Sequence, residues 1–237
     1  MSLDLICQVE KRLLGHKMLI RALRFFVSIL LIPIVLNFTV SFYRGISSIK
    51  TVSESGLLFI LGAFSYAILH LLIIKLDFLY VPVHELTHAT AALFSGGRVR
   101  NIKIRAKEGS VNVTKLNSFV MLAPYLIPGY TVFITFLYFG LSFFVDMARY
   151  SGIFIFIIGF SLMFHLVYTA ESIRGRQSDL TKAGYLFSIF SVYIFNLVVV
   201  FFISSLLFKE AVFFNFISMA YESSKDFYYT FWRQLFL

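Results

Sequence analysis

The chain has 237 residues, of which 59% are hydrophobic and only 14% are charged. A soluble domain is about half apolar and about a quarter charged. The composition therefore excludes an ordinary soluble protein and predicts a polytopic α-helical membrane protein, with residues 1–237 forming a single integral membrane domain. The net charge of +9 falls in the ends and loops between apolar runs, which indicates membrane topology rather than nucleic-acid binding.

The N-terminal part predicts a basic segment followed by a first transmembrane helix at residues 25–43. Lys11, Arg12 and Lys17 precede the apolar run, and a positive cluster just before a first span favours a cytoplasmic N-terminus. No clear small-residue cleavage site follows the run, so we expect a retained span rather than a signal peptide.

A second apolar stretch, residues 57–95, is about twice as long as one membrane crossing needs. Lys75, Asp77 and Pro82 interrupt it, which predicts a span at 57–76 and a second helix at 83–95. The pattern leaves open whether the stretch crosses once with a kink or twice. The positive-inside rule favours one crossing, because a very basic segment follows.

That basic segment alternates apolar and charged residues, which predicts a β-hairpin at residues 98–106 and 110–116. Lys107 to Ser110 would form its turn. The last residues, 208–237, mix aromatic and charged side chains, which predicts a helix lying at the membrane interface. Three further spans are predicted at residues 119–145, 153–170 and 184–207, so that the protein has about five transmembrane helices and a functional core at about 57–207.

The sequence from His84 to His88 has the pattern His-Glu-x-x-His on a predicted helix. Two histidines four residues apart face the same way on a helix, so both imidazoles can bind one metal ion. Glu85 lies beside them, where a general base for a metal-activated water is needed. A catalytic zinc site has three protein ligands and one open position, so a third ligand must come from elsewhere in the chain.

Four residues are candidates for the third ligand. Asp179 ranks first, because it lies in a predicted cytoplasmic loop just before a span. His165 ranks second; in the fourth predicted span, it could instead hydrogen-bond a ligand or the substrate carbonyl. Asp77 and His70 lie closer to the motif in sequence, near the predicted break and in the second span. The residues alone leave this choice open.

The segment from His84 to Ala89, followed by Gly96-Gly97-Arg98-Val99 and a hairpin, resembles the site-2 protease family of intramembrane zinc metallopeptidases, especially its small bacterial members. The resemblance covers about residues 80–205. It implies that His84, His88 and Asp179 bind one Zn²⁺ per chain and that Glu85 is the catalytic base. It also implies an endopeptidase of the bacterial inner membrane that cuts membrane-embedded or membrane-proximal segments of membrane-protein substrates.

Two other function classes fit part of the pattern. One is a non-catalytic zinc-binding membrane protein, and the other is a small ion or proton transporter. Glu85 favours the enzyme, because a structural metal site needs no acid at that position. Transporters often have related halves with broken helices, and the chain shows no internal symmetry. We therefore expect an enzyme whose active site lies near the cytoplasmic membrane face, with the lipid bilayer and a membrane protein as partners; the pattern leaves the oligomeric state open.

Overall fold

The computed structural model of the chain describes residues 3–106 and 108–236, without the side chains of residues 3–17. Lys107 of the predicted turn and the side chains of Lys11, Arg12 and Lys17 lie outside the described residues. The elements are α1 (Leu3–Ser47), α2 (Glu54–Ile68) with a π-helical turn (Leu69–Ile73), α3 (Asp77–Phe94), β1 (Val99–Ile104), β2 (Gly109–Val113), α4 (Ser118–Leu126), α5 (Gly129–Leu141), a 3₁₀ turn (Met147–Tyr150), α6 (Ser151–Arg174), α7 (Ser178–Ala183), α8 (Tyr185–Leu207) and α9 (Phe213–Phe236).

Four helical segments of the described chain are long and apolar enough to cross a membrane, and α4 with α5 makes a fifth if the bent pair counts as one span. This agrees with the predicted polytopic helical architecture. The α3 helix is not among these candidate spans. The four segments are Met18–Ser47, Glu54–Ile73, Met147–Arg174 and Tyr185–Leu207.

The single span predicted at 119–145 is two helices, which meet at an angle of 68°. Ile127 between them has an extended backbone, with φ −101° and ψ 115°. The following residue, Pro128, disfavours helical geometry at the residue before it and has no N–H to donate to a helical bond. The predicted span at 119–145 is therefore a broken one, if the bent pair crosses the membrane as a unit.

The α2 and α6 helices run parallel to each other in close contact. Gly62 lies against the backbone of Phe156, and any side chain at Gly62 would overlap the Phe156 carbonyl oxygen. One turn later, Tyr66 packs against Phe160 and Phe164. Small residues allow such close approach between membrane helices.

The predicted break in the stretch 57–95 is confirmed, but it lies at residues 74–76 and not at Pro82. The α3 helix already begins at Asp77, and it contains Pro82. Membrane helices tolerate proline where neighbouring groups satisfy the freed carbonyl. The predicted start at residue 83 was thus six residues too late.

The α3 helix follows α2 after the break at residues 74–76. It is antiparallel to α4, because His84 contacts Tyr125 near one end and Asn117 hydrogen-bonds to Ser95 at the other. The chain then continues into α5, which runs antiparallel to α6. Because α3 is not a candidate span, residues 57–95 contain one membrane-crossing candidate among the described helices, within the segment Glu54–Ile73.

The hairpin is confirmed. Its strands pair antiparallel from Val99 with Val113 to Ile104 with Gly109, and the register is irregular near Asn101. Both strands pack on α3, with Val113 against a buried cluster that α3 and α4 share. The hairpin therefore lies next to the His-Glu-x-x-His motif.

The C-terminal helix α9 packs lengthwise along α1 and runs antiparallel to it. Phe216 contacts Phe42, and Asn37 Nδ2 lies 3.4 Å from Ser224 Oγ two turns further on. A helix that follows a candidate span in this way lies along it and not flat across its end. The packing therefore opposes the predicted interfacial position of residues 208–237, because apolar residues of α9 bury against α1.

Candidate metal centre

Three potential metal ligands meet at one point between α3 and α7. His84 and His88 lie one turn apart on α3, and Asp179 lies in the first turn of α7. The Nε2 atoms of the two histidines are 3.2 Å apart. Asp179 Oδ2 lies 3.3 Å from His88 Nε2 and 3.8 Å from His84 Nε2. The structure thus brings together the two motif histidines and the first-ranked third residue.

These distances are those expected around one tetrahedral ion. Ligand atoms about 2.0–2.2 Å from zinc in tetrahedral geometry lie about 3.3–3.6 Å from one another. The three observed separations of 3.2, 3.3 and 3.8 Å bracket this range. In the described part of the chain, these are the only three side chains of metal-binding type that come together so closely.

Each histidine of the triad (His84, His88 and Asp179) is held through its other ring nitrogen. His88 Nδ1 lies 2.7 Å from the Val120 carbonyl oxygen. A carbonyl only accepts, so Nδ1 carries the proton and the Nε2 lone pair points to the centre of the triad. His84 Nδ1 lies 2.9 Å from the Tyr80 hydroxyl, which is 3.0 Å from Ser172 Oγ. Such outer partners fix the orientation of metal-binding histidines.

Asp179 is positioned by the packing of the short helix α7 against α4. Leu180 is fully buried in a cluster with Tyr125, and the Tyr125 hydroxyl donates to Gln177 Oε1 at 2.7 Å. Burial opposes ionisation of Asp179, but its contacts with His84 and His88 outweigh this and hold its pKa below the usual range. The carboxylate is therefore charged at neutral pH and available to a cation.

Glu85 and Asp179 line the same open cleft, which has a volume of about 370 Å³. The hairpin forms one wall through Glu108 and Gly109. A Cβ atom at Gly109 would lie 2.7 Å from Glu85 Oε1, closer than real side-chain contacts allow. The start of β2 therefore lies directly against the Glu85 carboxylate. Burial raises the pKa of Glu85, which lies outside the candidate spans.

The other sequence candidates are not in the triad. His165 Nε2 lies 3.1 Å from Asn196 Oδ1, and the Asn196 amide donates to the Tyr125 carbonyl oxygen at 2.9 Å. His165 thereby ties α6 to α8 and to the end of α4. Asp77 accepts a hydrogen bond from the Tyr168 hydroxyl at 2.9 Å. His70 is bonded to Tyr66 further back along the chain.

Sequence reasoning missed three contributors to the site. Tyr80 lies four residues before His84, so helical spacing alone places it on the same face. Gly109 gave no such signal, because its contact with Glu85 depends on how the hairpin folds back onto α3. The carbonyl of Val120 is a backbone group and has no sequence signature.

No protein-family model matches the chain, and no curated protein or solved structure matches it either. The resemblance to the site-2 protease family rests on the motif residues alone, and it stays a prediction.

Proposed function

We propose that the protein is a zinc-dependent intramembrane endopeptidase. Three potential ligand atoms meet at one point, and the carboxylate of a fourth residue lies beside them. This observation carries the proposal. His84, His88 and Asp179 supply two nitrogens and one oxygen, and Glu85 lines the same cleft. A set of three ligands with an open side is typical of catalytic zinc, whereas structural zinc sites are closed by four ligands.

The donor set fits zinc better than a hard cation. Calcium and magnesium prefer oxygen ligands in sets of six or more, while imidazole nitrogens with one carboxylate suit zinc. The Val120 carbonyl fixes the tautomer of His88 that a metal requires. When bound, zinc supplies Lewis-acid activation of a water molecule and of the scissile carbonyl.

Glu85 acts as the general base in this proposal. It accepts a proton from the attacking water and returns it to the amine that leaves when the peptide bond breaks. Its carboxylate lies against Gly109, where a Cβ atom would overlap it. The hairpin wall thereby packs against the buried Glu85, which lines the cleft.

The substrate is a membrane-embedded or membrane-proximal segment of another protein. The cleft lies where α6 ends and shortly before α8 begins, and both helices are candidate spans. A helical substrate hides its carbonyls in internal hydrogen bonds, so the bound segment must unwind at the cut. The neighbouring hairpin carries Arg98, Arg100 and Lys103, which favours a cytoplasmic location of the cleft.

One substitution separates catalysis from metal binding. We expect Glu85→Gln to retain one zinc per chain and to lose cleavage, because the amide cannot accept the proton. The assay uses membrane proteins reconstituted in vesicles with the purified enzyme, and mass spectrometry counts new N-termini in or next to spans. The matched control is Glu222→Gln on α9, which removes an exposed carboxylate far from the cleft.

Equal numbers of new N-termini from the wild type and Glu85→Gln would contradict the role of Glu85. Bound zinc without cleavage by either protein would instead favour a non-catalytic zinc-binding membrane protein. Absence of zinc from the wild type would contradict the whole proposal.

A further inference from the structure

A basic cavity lies between α1 and the junction of α7 with α8, away from the metal centre. It has a volume of about 400 Å³, and Arg21, Arg24 and Lys182 are its cationic lining residues. None of its lining residues is acidic. The cavity is far larger than the space one water molecule fills, which is about 30 Å³. It can therefore hold an anion of several atoms.

The three cations have no carboxylate partner among the described side chains. None of the salt bridges found there includes Arg21, Arg24 or Lys182. Three positive charges around one cavity repel one another unless an anion lies between them. Their arrangement therefore favours a negatively charged ligand.

Arg24 is already fixed in place at the wall of the cavity. Its Nη1 donates to the Lys182 carbonyl oxygen at 2.9 Å, and its Nη2 donates to Ser118 Oγ at 3.1 Å. A guanidinium has five N–H donors in a rigid plane, so others remain for a ligand. Binding an anion here costs little side-chain entropy, because Arg24 is already ordered.

The position of the cavity indicates a lipid. It lies where two candidate spans begin, Met18–Ser47 and Tyr185–Leu207, which is the level of lipid headgroups. The exposed apolar side chains of Phe25 and Leu186 also line it, so an acyl chain can leave the cavity along α1 and α8. Basic pockets between membrane helices on the cytoplasmic side bind anionic headgroups.

We propose that this cavity binds the phosphate headgroup of an anionic phospholipid. Arg21 and Lys182 attract the phosphate by charge, and Arg24 adds oriented hydrogen bonds. The site is independent of the metal centre and of the proposed peptidase activity. It makes the protein selective for anionic over zwitterionic lipids.

The test measures bound lipid on the purified protein by native mass spectrometry, with phosphatidylglycerol and phosphatidylcholine offered in equal amounts. The site variant is Arg21→Ala/Lys182→Ala, which keeps Arg24 and its structural hydrogen bonds. The matched control is Arg149→Ala/Lys209→Ala, which removes two exposed cations at the opposite end of α6 and α8. Both variants change the net charge equally.

We expect the wild type to retain phosphatidylglycerol preferentially. One cation near an anionic surface contributes about fivefold in binding, so the site variant should lose about 25-fold of this preference while the control keeps it. An unchanged preference in the site variant would overturn the proposal. Equal losses in both variants would also overturn it, because net charge alone would then explain the effect.

Inorganic phosphate distinguishes a lipid from a soluble ligand. If phosphate at the concentration of the lipid displaces phosphatidylglycerol from the wild type, the ligand is a soluble phosphate and the lipid assignment is wrong. If the lipid stays bound, the acyl chains contribute and the assignment stands.

Discussion

Buried histidines occur in two groups of side chains at the same end of the helix bundle. The two groups differ in how the charges around the histidines are balanced. The triad joins His84, His88 and Asp179 beside an open cleft. The second group, called here the His70 cluster, consists of Tyr66, His70, Lys75, Tyr168 and Glu171. It fills the contact between the end of α2 and α6, and it lines none of the cleft.

In the His70 cluster, ordinary protein groups balance each other. Tyr66 OH lies 2.9 Å from His70 Nδ1, and Glu171 forms an ion pair with Lys75. His70 Nε2 lies 3.3 Å from Glu171 Oε1, but it makes no hydrogen bond. The carboxylate therefore already has its cation in Lys75.

In the triad, the carboxylate has no lysine or arginine partner among the described side chains. The Nε2 atoms of His84 and His88 and one carboxylate oxygen lie within 3.8 Å of one another. A shared proton or a bound cation is needed to offset the repulsion between such electron-rich atoms. A buried histidine is thus a candidate ligand when the lone pair of a ring nitrogen faces other acceptors. It is a structural residue when a protein cation balances the charge of its neighbours.

The largest expected effect separates the two groups directly. His88→Ala should lower zinc affinity more than about 100-fold, because even the loss of an outer partner costs up to that much. Asp179→Ala should act in the same direction. The matched control, His70→Ala, removes an equally buried histidine and should leave zinc affinity within about threefold. Competition with a fluorescent chelator measures all of them, and a His70 effect equal to that of His88 would refute the distinction.

A smaller effect is expected at the two stacked tyrosines where the triad and the His70 cluster meet. Tyr80 and Tyr168 stack with ring centres 4.3 Å apart, but only the Tyr80 hydroxyl contacts a triad histidine. Tyr80→Phe should lower zinc affinity about tenfold, because His84 loses the group that orients its ring. Tyr168→Phe, which loses only a bond to Asp77, is the control. Equal affinities of the two variants would show that Tyr80 does not orient His84.

The contact between the hairpin and Glu85 predicts a change in activity without a change in metal binding. Gly109→Ala places a methyl group against the carboxylate, so peptide cleavage should fall about tenfold, in line with a small displacement of a catalytic group. Zinc content should remain one per chain. Gly140→Ala on α5 is the control, because a methyl there meets no neighbouring atom. Full activity of Gly109→Ala would remove the hairpin from the catalytic arrangement.

The smallest expected effect concerns His165, the second-ranked ligand candidate. His165→Ala should retain zinc, since the residue bonds to Asn196 and not to the triad. The buried Asn196 oxygen then lacks a donor, which should lower the free energy of unfolding by about 1–3 kcal/mol. Denaturant titration in detergent measures this loss. Zinc loss in this variant with zinc retained in Asp179→Ala would reverse the ranking of the third ligand.

The sequence predicted those features that depend on local spacing. The motif histidines, the hairpin and the break before α3 follow from periods of four and two residues and from Lys75 and Asp77. These patterns act within a few residues of each other, so they can be recognised without knowledge of the packing.

The remaining features depend on contacts between distant segments. The bond of His165 to Asn196 spans 31 positions, and no pattern in either segment predicts it. The tail residues 208–237 have an interfacial composition, yet the helix α9 (Phe213–Phe236) packs along α1. The bend after Leu126 was foreseeable from Pro128, but its size of 68° depends on where α5 packs against α6.

The identity and ligands of the bound metal test the central claim most directly. X-ray absorption on the purified protein loaded with one equivalent of zinc measures the atoms around the ion. We predict two imidazole nitrogens and oxygen ligands at about 2.0–2.2 Å, with one imidazole signal lost in His88→Ala. A spectrum without imidazole ligands, or one that His88→Ala leaves unchanged, would contradict a zinc centre formed by His84, His88 and Asp179.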